Sequence, residues 1–255
     1  MLQRSQSRVV SAGLCILLAG CSTAAAQKQE TITVGAAASL TSVFAEIGSA
    51  FERAHPGAHV RFSFAGSNAL ATQIQEGAPV DVFAAAAPRW LDVVAKDPGV
   101  VERAVFARNR LVLIEPKDNA AHILRFSDLA RAHIKLVLAA PGVPAGDYAR
   151  AALRRAGLSA AISNVVSNEQ DVEGVVQKVV SGDADAGIVY ATDVTASVAR
   201  SVHEIELPPL AQVIAVYEIG VVRGTRDPGL GRAFIAYVLG PGQVALARAG
   251  FIRAA

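Results

Sequence analysis

The chain has 255 residues, a formal net charge of +2 and two cysteines, Cys15 and Cys21. So balanced a charge does not build the basic surface that nucleic-acid binding requires. Both cysteines lie close to the N-terminus, so they offer the rest of the chain neither a disulfide nor a thiolate metal site.

Residues 1–20 carry Arg4 and Arg8, an apolar run from Val9 to Leu18 and the small pair Ala19-Gly20 before Cys21. This is the layout of a secretory signal peptide, and its apolar part is too short to span a bilayer. The ending Leu18-Ala19-Gly20-Cys21 is similar to the lipobox of bacterial lipoproteins, in which cleavage precedes a cysteine that then carries lipid. Cleavage near Ala24-Ala25-Ala26, which would discard Cys21, is the alternative. Loss of residues 1–20 removes two positive charges and brings the net charge to zero. No later stretch supplies about 20 uninterrupted apolar residues.

About 235 residues then remain, enough for one large domain or two small ones. An apolar content of 52% with only 5% aromatics suits Val-rich buried strands and Ala-rich helices. Thr31–Val34 reads as a strand and Ser42–Ala54 as a helix, with Val43, Phe44, Ile47 and Phe51 on one face. Val60–Phe64 and Val80–Ala84 read as strands; Ala69–Glu76 and Arg89–Lys96 read as the helices that follow them. Strand, loop and helix repeat, which is a parallel-sheet signature of the α/β class.

A second set of elements begins with the strand Leu111–Ile114. Leu136–Ala139 and Ala186–Tyr190 read as strands, Ala145–Ala156 and Val172–Ser181 as helices. The apolar run Val213–Val222 returns to the first lobe, which helices over Leu230–Leu239 and Gly242–Ala249 complete. Because the segments near 110 and 215 read as strands, two crossings between lobes are expected rather than one linker. The expected division is a signal peptide over 1–20, a tether over 21–30, a first lobe over 31–112 plus 214–255, and a second lobe over 113–213.

In an open α/β sheet, ligands collect at the carboxyl ends of strands, where the following helices begin. Four such junctions here are Ala36-Ala37-Ala38-Ser39, Ala65-Gly66-Ser67-Asn68, Val143-Pro144-Ala145-Gly146 and Gln170-Asp171-Val172. Helix N-termini present unpaired N–H groups and the positive end of the dipole, so several of them converging make an anion site without Lys or Arg. Ser39 and Ser67 add hydroxyl donors, and the small residues before them allow close approach to a ligand. The alternative is that each serine is simply an N-cap.

The segments Val34–Thr41, Phe64–Ser67, Gln73–Phe83, Val143–Tyr148, Asp171-Val172 and Gly187–Tyr190, taken together and in this order, resemble the periplasmic molybdate-binding proteins of molybdenum ABC importers. The resemblance implies a type II periplasmic binding fold of two α/β lobes and a tetrahedral oxyanion, molybdate or tungstate, held by neutral donors. It assigns hydroxyl and backbone donors to Ser39, a hydroxyl to Ser67, backbone N–H groups to Ala145 and Val172, and a phenol to Tyr190. The metal enters only as the oxyanion on those five residues, with no cofactor. The implied partners are an ABC permease and its ATPase; the protein is expected to be monomeric, in the periplasm or cell envelope, and tethered through Cys21. Asn68, where the family often has serine, and Ala139-Ala140-Pro141, where an acidic or amide residue is common, leave open which oxyanion is preferred, sulfate included.

An enzyme on the same fold, with Ser39 or Ser67 as nucleophile, would need a base within hydrogen-bond reach. None of the histidines, His55, His59, His122, His133 and His203, neighbours either serine or a pocket turn in sequence. They also lack His-Glu-x-x-His spacing, so neither an enzyme nor a zinc hydrolase is indicated. Asp183 and Asp185, candidate metal ligands, sit in a turn where acidic residues are usually solvated.

Overall fold

The computed structural model describes residues 30–254. The expected signal segment, Cys21 and most of the tether lie outside the described residues, while Glu30 opens the first strand. In chain order that strand, β1 (Glu30–Ala37), leads to α1 (Thr41–Ala54), β2 (Ala58–Ala65), α2 (Ser67–Gln75), β3 (Val82–Ala85), α3 (Pro88–Lys96) and β4 (Val100–Asn109). Next come β5 (Leu111–Pro116), β6 (Leu136–Ala139), α4 (Pro144–Arg155), β7 (Val165–Glu169), α5 (Val172–Val180), β8 (Ala186–Tyr190) and β9 (Val202–Glu206). The chain finishes with β10 (Ala215–Val222), α6 (Pro228–Leu239), α7 (Gly242–Arg248) and the short β11 (Ile252–Arg253).

Local pattern explains why these segments take these forms. Ile32, Val34 and Ala36 are fully buried at every second residue of β1, the period of a strand. Along α1 the buried residues Val43, Phe44, Ile47 and Phe51 follow helical spacing. Phe44 meets Phe62, Phe106 and Phe234 at centroid distances of 6.1, 5.6 and 6.1 Å, which fastens α1 and α6 to the sheet.

Two sheets result, with strand orders β11-β4-β10-β3-β1-β2 and β7-β6-β8-β5-β9. Each has a parallel part, β2-β1-β3 and β7-β6-β8. Neither is wholly parallel, which corrects the reading from the strand–helix repeat. β10 runs antiparallel to β3 and β4, and β5 antiparallel to β8 and β9. The physical reason is that the chain crosses between lobes directly, without a crossover helix, so β4, β5, β9 and β10 reverse direction.

The first crossing is the single step from Asn109 in β4 to Leu111 in β5. The return runs from β9 to β10, and the two crossing segments are stitched side by side: Leu111 N–H donates to Gln212 Oε1 at 2.9 Å and Gln212 Nε2 donates to the Leu111 carbonyl at 3.0 Å. Leu111 and Val112 pair with Tyr190 and Val189 in the second sheet, whereas the expected division counted them with the first lobe. Apolar sequence alone does not say which sheet a crossing strand joins.

β4, β7 and β9 were not expected from the sequence. β9 reads Val-His-Glu-Ile-Glu with one buried residue, and β7 has none; both are sheet edges, where polar residues are tolerated. Among the described residues no single helix is long and apolar enough to cross a membrane.

Candidate functional site

The carboxyl ends of β1 and β2 in the first lobe face those of β6, β7 and β8 in the second, and a small cavity lies between them. It is lined by Ser39, Ser67, Ala145, Val172 and Tyr190, so the structure brings together all five residues singled out in the sequence. The room for the centre of a water-sized sphere is about 10 Å³, equivalent to a roughly spherical hole about 2.7 Å in radius. A space of this scale is nearer to that of one small ion than to the volume a drug-sized ligand fills.

The serines do not cap their helices. Leu40 and Gly66 occupy the N-cap positions of α1 and α2, with no side-chain cap at either end; this removes the N-cap alternative. Ser67, 1% exposed, accepts a hydrogen bond from the Ala86 N–H at 3.0 Å. Its own proton is thereby free to point into the cavity. Ser39 Oγ lies 2.9 Å from the hydroxyl of the fully buried Tyr217. With Tyr217 donating, Ser39 too has its proton left for the cavity.

On the facing wall, Ala145 is the second residue of α4 and Val172 the first of α5. N–H groups at these positions have no intrahelical acceptor. Asp171 caps α5 by accepting from Gly174 N–H at 3.0 Å, beyond Val172. Arg150 holds the outer side of α4 by donating to the carbonyls of Ala139 and Gly146 at 2.6 and 3.0 Å. The Tyr190 hydroxyl is buried and has no hydrogen-bond partner among the described residues, an arrangement that calls for a partner arriving from outside.

Two glycines make these approaches possible. A Cβ on Gly146 would stand 2.2 Å from the Ala139 carbonyl oxygen, so only glycine lets α4 start this close to the end of β6. A Cβ on Gly66 would stand 2.6 Å from the Gln170 carbonyl oxygen, across the cleft in the other lobe.

Among the described residues, no Lys, Arg or His lines the cavity, and Asp171 is its one carboxylate. Burial pushes the Tyr190 phenol well above its ordinary value, and neighbouring Tyr217, Tyr148 and Asp193 add to it. Burial likewise raises Tyr217. Both phenols therefore keep their protons at neutral pH and can donate. Behind Tyr190, the Asp193 carboxylate accepts from the Tyr190 N–H at 2.9 Å. Burial drives Asp193 well up despite that hydrogen bond, with Glu173 and Asp171 adding, and it raises Glu173 too.

Such a cavity is built from donors, with neither a nucleophile–base pair nor a metal cluster. Asp183 faces Lys178, and Asp185 accepts from the Lys135 N–H at 2.7 Å, so neither belongs to a cation site.

Two α/β lobes joined by two crossings and meeting over a pocket of neutral donors define a solute-binding protein of the two-lobed kind. The family model described as bacterial extracellular solute-binding protein matches residues 32–252, and the chain belongs to that family. The molybdate-binding protein ModA of Mycobacterium tuberculosis is 40% identical over 229 residues, covering 89% of this chain and 86% of that protein. Bacillus subtilis YvgL, named a putative ABC transporter substrate-binding lipoprotein, is 30% identical over 231 residues and covers 88% of each chain. The solved structure of the Azotobacter vinelandii periplasmic molybdate-binding protein shares the fold, with a TM-score of 0.76 at 20% identity over 88% of this chain and 100% of that one. The resemblance drawn from the sequence motifs is thus borne out.

Sequence reasoning missed Tyr217, Ala86 and Gly66. Tyr217 sits in an apolar run whose strand character hid its hydroxyl, and Ala86 acts only through its backbone. The signal for Gly66 was present in Ala65-Gly66-Ser67, read there as a ligand contact rather than a lobe contact.

Proposed function

We propose that this protein captures molybdate, or tungstate, outside the cytoplasm and hands it to an ABC permease driven by its ATPase. Ser39, Ser67, Ala145, Val172 and Tyr190 hold the ion through hydroxyl, phenol and backbone N–H donors. The observation that carries this reading is the state of Ser67, whose acceptor side is occupied by the Ala86 N–H at 3.0 Å, so that its own proton is left to donate to a ligand made only of acceptor oxygens. Ser39, 2.9 Å from the Tyr217 hydroxyl, is left the same way when Tyr217 donates. The name of the relative at 40% identity supports the same ligand, and that of the relative at 30% supports the transport role. A binding role rather than catalysis fits the cavity, because among the described residues no histidine, lysine or arginine lines it beside either serine.

Titration calorimetry of the mature chain with molybdate is the direct test. One ion per chain with release on dilution is expected, and absence of any heat with molybdate or tungstate would contradict the reading. The protein is further proposed to act as a monomer held at the membrane by lipid on Cys21, which the Leu18-Ala19-Gly20-Cys21 motif and the lipoprotein name of YvgL support. Acyl chains contribute about 0.8 kcal/mol per buried methylene, so Cys21→Ser should release or leave unprocessed a chain that otherwise fractionates with membrane. Unchanged fractionation and palmitate labelling would rule the tether out.

A further inference from the structure

The cavity is neutral, yet the rim of the same cleft is bridged by charge. α3 of the first lobe brings Arg89 and Trp90 against the turn 142–147 of the second. The Arg89 guanidinium pairs with the Asp147 carboxylate and donates to the Gly142 carbonyl at 2.5 Å. The Trp90 indole N–H donates to that same carbonyl at 3.1 Å. The guanidinium lies 4.8 Å from the centroid of the indole, so one side chain braces the other. Asp147 also accepts from the Gly142 N–H at 3.0 Å, closing the turn on itself.

Position gives this cluster its meaning. Between the gripped residues Gly142 and Asp147 lie Val143, Pro144 and Ala145, which form cavity wall. The loop that presents the Ala145 N–H is therefore held at both ends by side chains of the opposite lobe. We propose that Arg89 and Trp90 are positioning residues, a latch that fastens the closed cleft through Gly142 and Asp147 and sets how long the ligand stays. The inference rests on the oxyanion reading above, but the latch itself touches no ligand.

Its chemistry suits that task. Arg89 and Asp147 keep 49% and 32% of their side-chain surface exposed, so both rehydrate readily when the lobes part. The contacts exist only across the closed cleft, and interactions present in one of two states bias the equilibrium toward that state. They should act on the rate of opening, hence on ligand release, more than on capture. A neutral latch would lack salt sensitivity; this one is screened by ions.

Trp90 is the only tryptophan of the chain, so indole emission reports on this rim alone. The test uses the full mature chain and two variants that keep Trp90, Arg89→Met and Asp147→Asn, in stopped-flow release of molybdate followed by that emission. Release should quicken about two- to fivefold in each variant, as expected for losing a partly exposed ion pair. Association should change less than about twofold, and the excess in release rate should shrink with salt. Ligand-free melting temperatures should match wild type. Molybdate binding with unchanged release in both variants would overturn the latch, as would a loss of ligand-free stability in both that parallels faster release. A wild-type chain that binds no tetrahedral oxyanion overturns the proposed function instead, so the two failures are distinct.

Discussion

The two walls of the cleft obtain their donors differently. The first-lobe wall uses side chains, Ser39 and Ser67, each set by a partner within its own lobe, Tyr217 and Ala86. The second-lobe wall uses main chain, the N–H groups of Ala145 and Val172 at the first turns of α4 and α5, plus the unpartnered phenol of Tyr190. A hydroxyl can be deleted by mutation, whereas a backbone N–H persists through nearly every substitution. Sensitivity to side-chain change should therefore concentrate on the first wall and on whatever lets the second wall approach it.

Gly66 should show the largest effect. Its would-be Cβ meets the Gln170 carbonyl oxygen of the opposite lobe at 2.6 Å, well inside contact distance. Gly66→Ala should weaken molybdate binding by more than about a hundredfold by keeping the lobes apart, because ligand affinity scales with the accessible closed population. The ligand-free melting temperature should hold. Gly146→Ala offers the contrast: its clash, 2.2 Å from the Ala139 carbonyl oxygen, lies within one lobe and should lower the melting temperature itself. Normal binding by Gly66→Ala would show that the walls need not meet as they do here.

Ser39→Ala and Ser67→Ala come next. A hydrogen bond to a charged group contributes about 1.5–3 kcal/mol, so each variant should bind molybdate roughly ten- to a hundredfold more weakly. Calorimetry beside thermal melts separates this loss from misfolding. Equal affinity in both variants would remove the first wall from the site.

Tyr190→Phe should be milder, about three- to tenfold in dissociation constant. Its hydroxyl has no partner among the described residues, so deletion strands nothing in the ligand-free chain, and stability should hold or rise. Affinity unchanged by this variant would leave the second wall entirely to main-chain donors.

Much of this comparison was legible in the sequence, for a physical reason. Ser39, Ser67 and Ala145 sit where a strand gives way to a helix and Tyr190 closes the buried strand β8, elements that announce themselves by apolar period over a few neighbouring residues; Val172 was legible from the period of α5 alone. The starts of the helices were less legible: α2 begins at Ser67 rather than Ala69, which moves the serine from a cap into the first turn. Contacts between distant segments left no local trace at all. Ser39 and Tyr217 are 178 residues apart, and Arg89 finds Gly142 across 53. Charged residues on α3 and the turn 142–147 look like ordinary solvated surface until the lobes are brought together. The edge strands β7 and β9 were invisible because a half-exposed strand carries little hydrophobic pattern.

A pocket lined by donors should select an oxyanion that brings only acceptors. Phosphate near neutral pH keeps at least one proton and would set donor against donor. Sulfate is fully deprotonated but smaller, so walls closed to the span of molybdate would leave some of its hydrogen bonds long and weak. Competition titration of the mature chain with molybdate, tungstate, sulfate and phosphate at fixed ionic strength measures this directly. Molybdate and tungstate are expected to bind at least about a thousandfold tighter than sulfate, a gap of roughly 4 kcal/mol, with phosphate weaker still. Sulfate or phosphate binding within about tenfold of molybdate would contradict it.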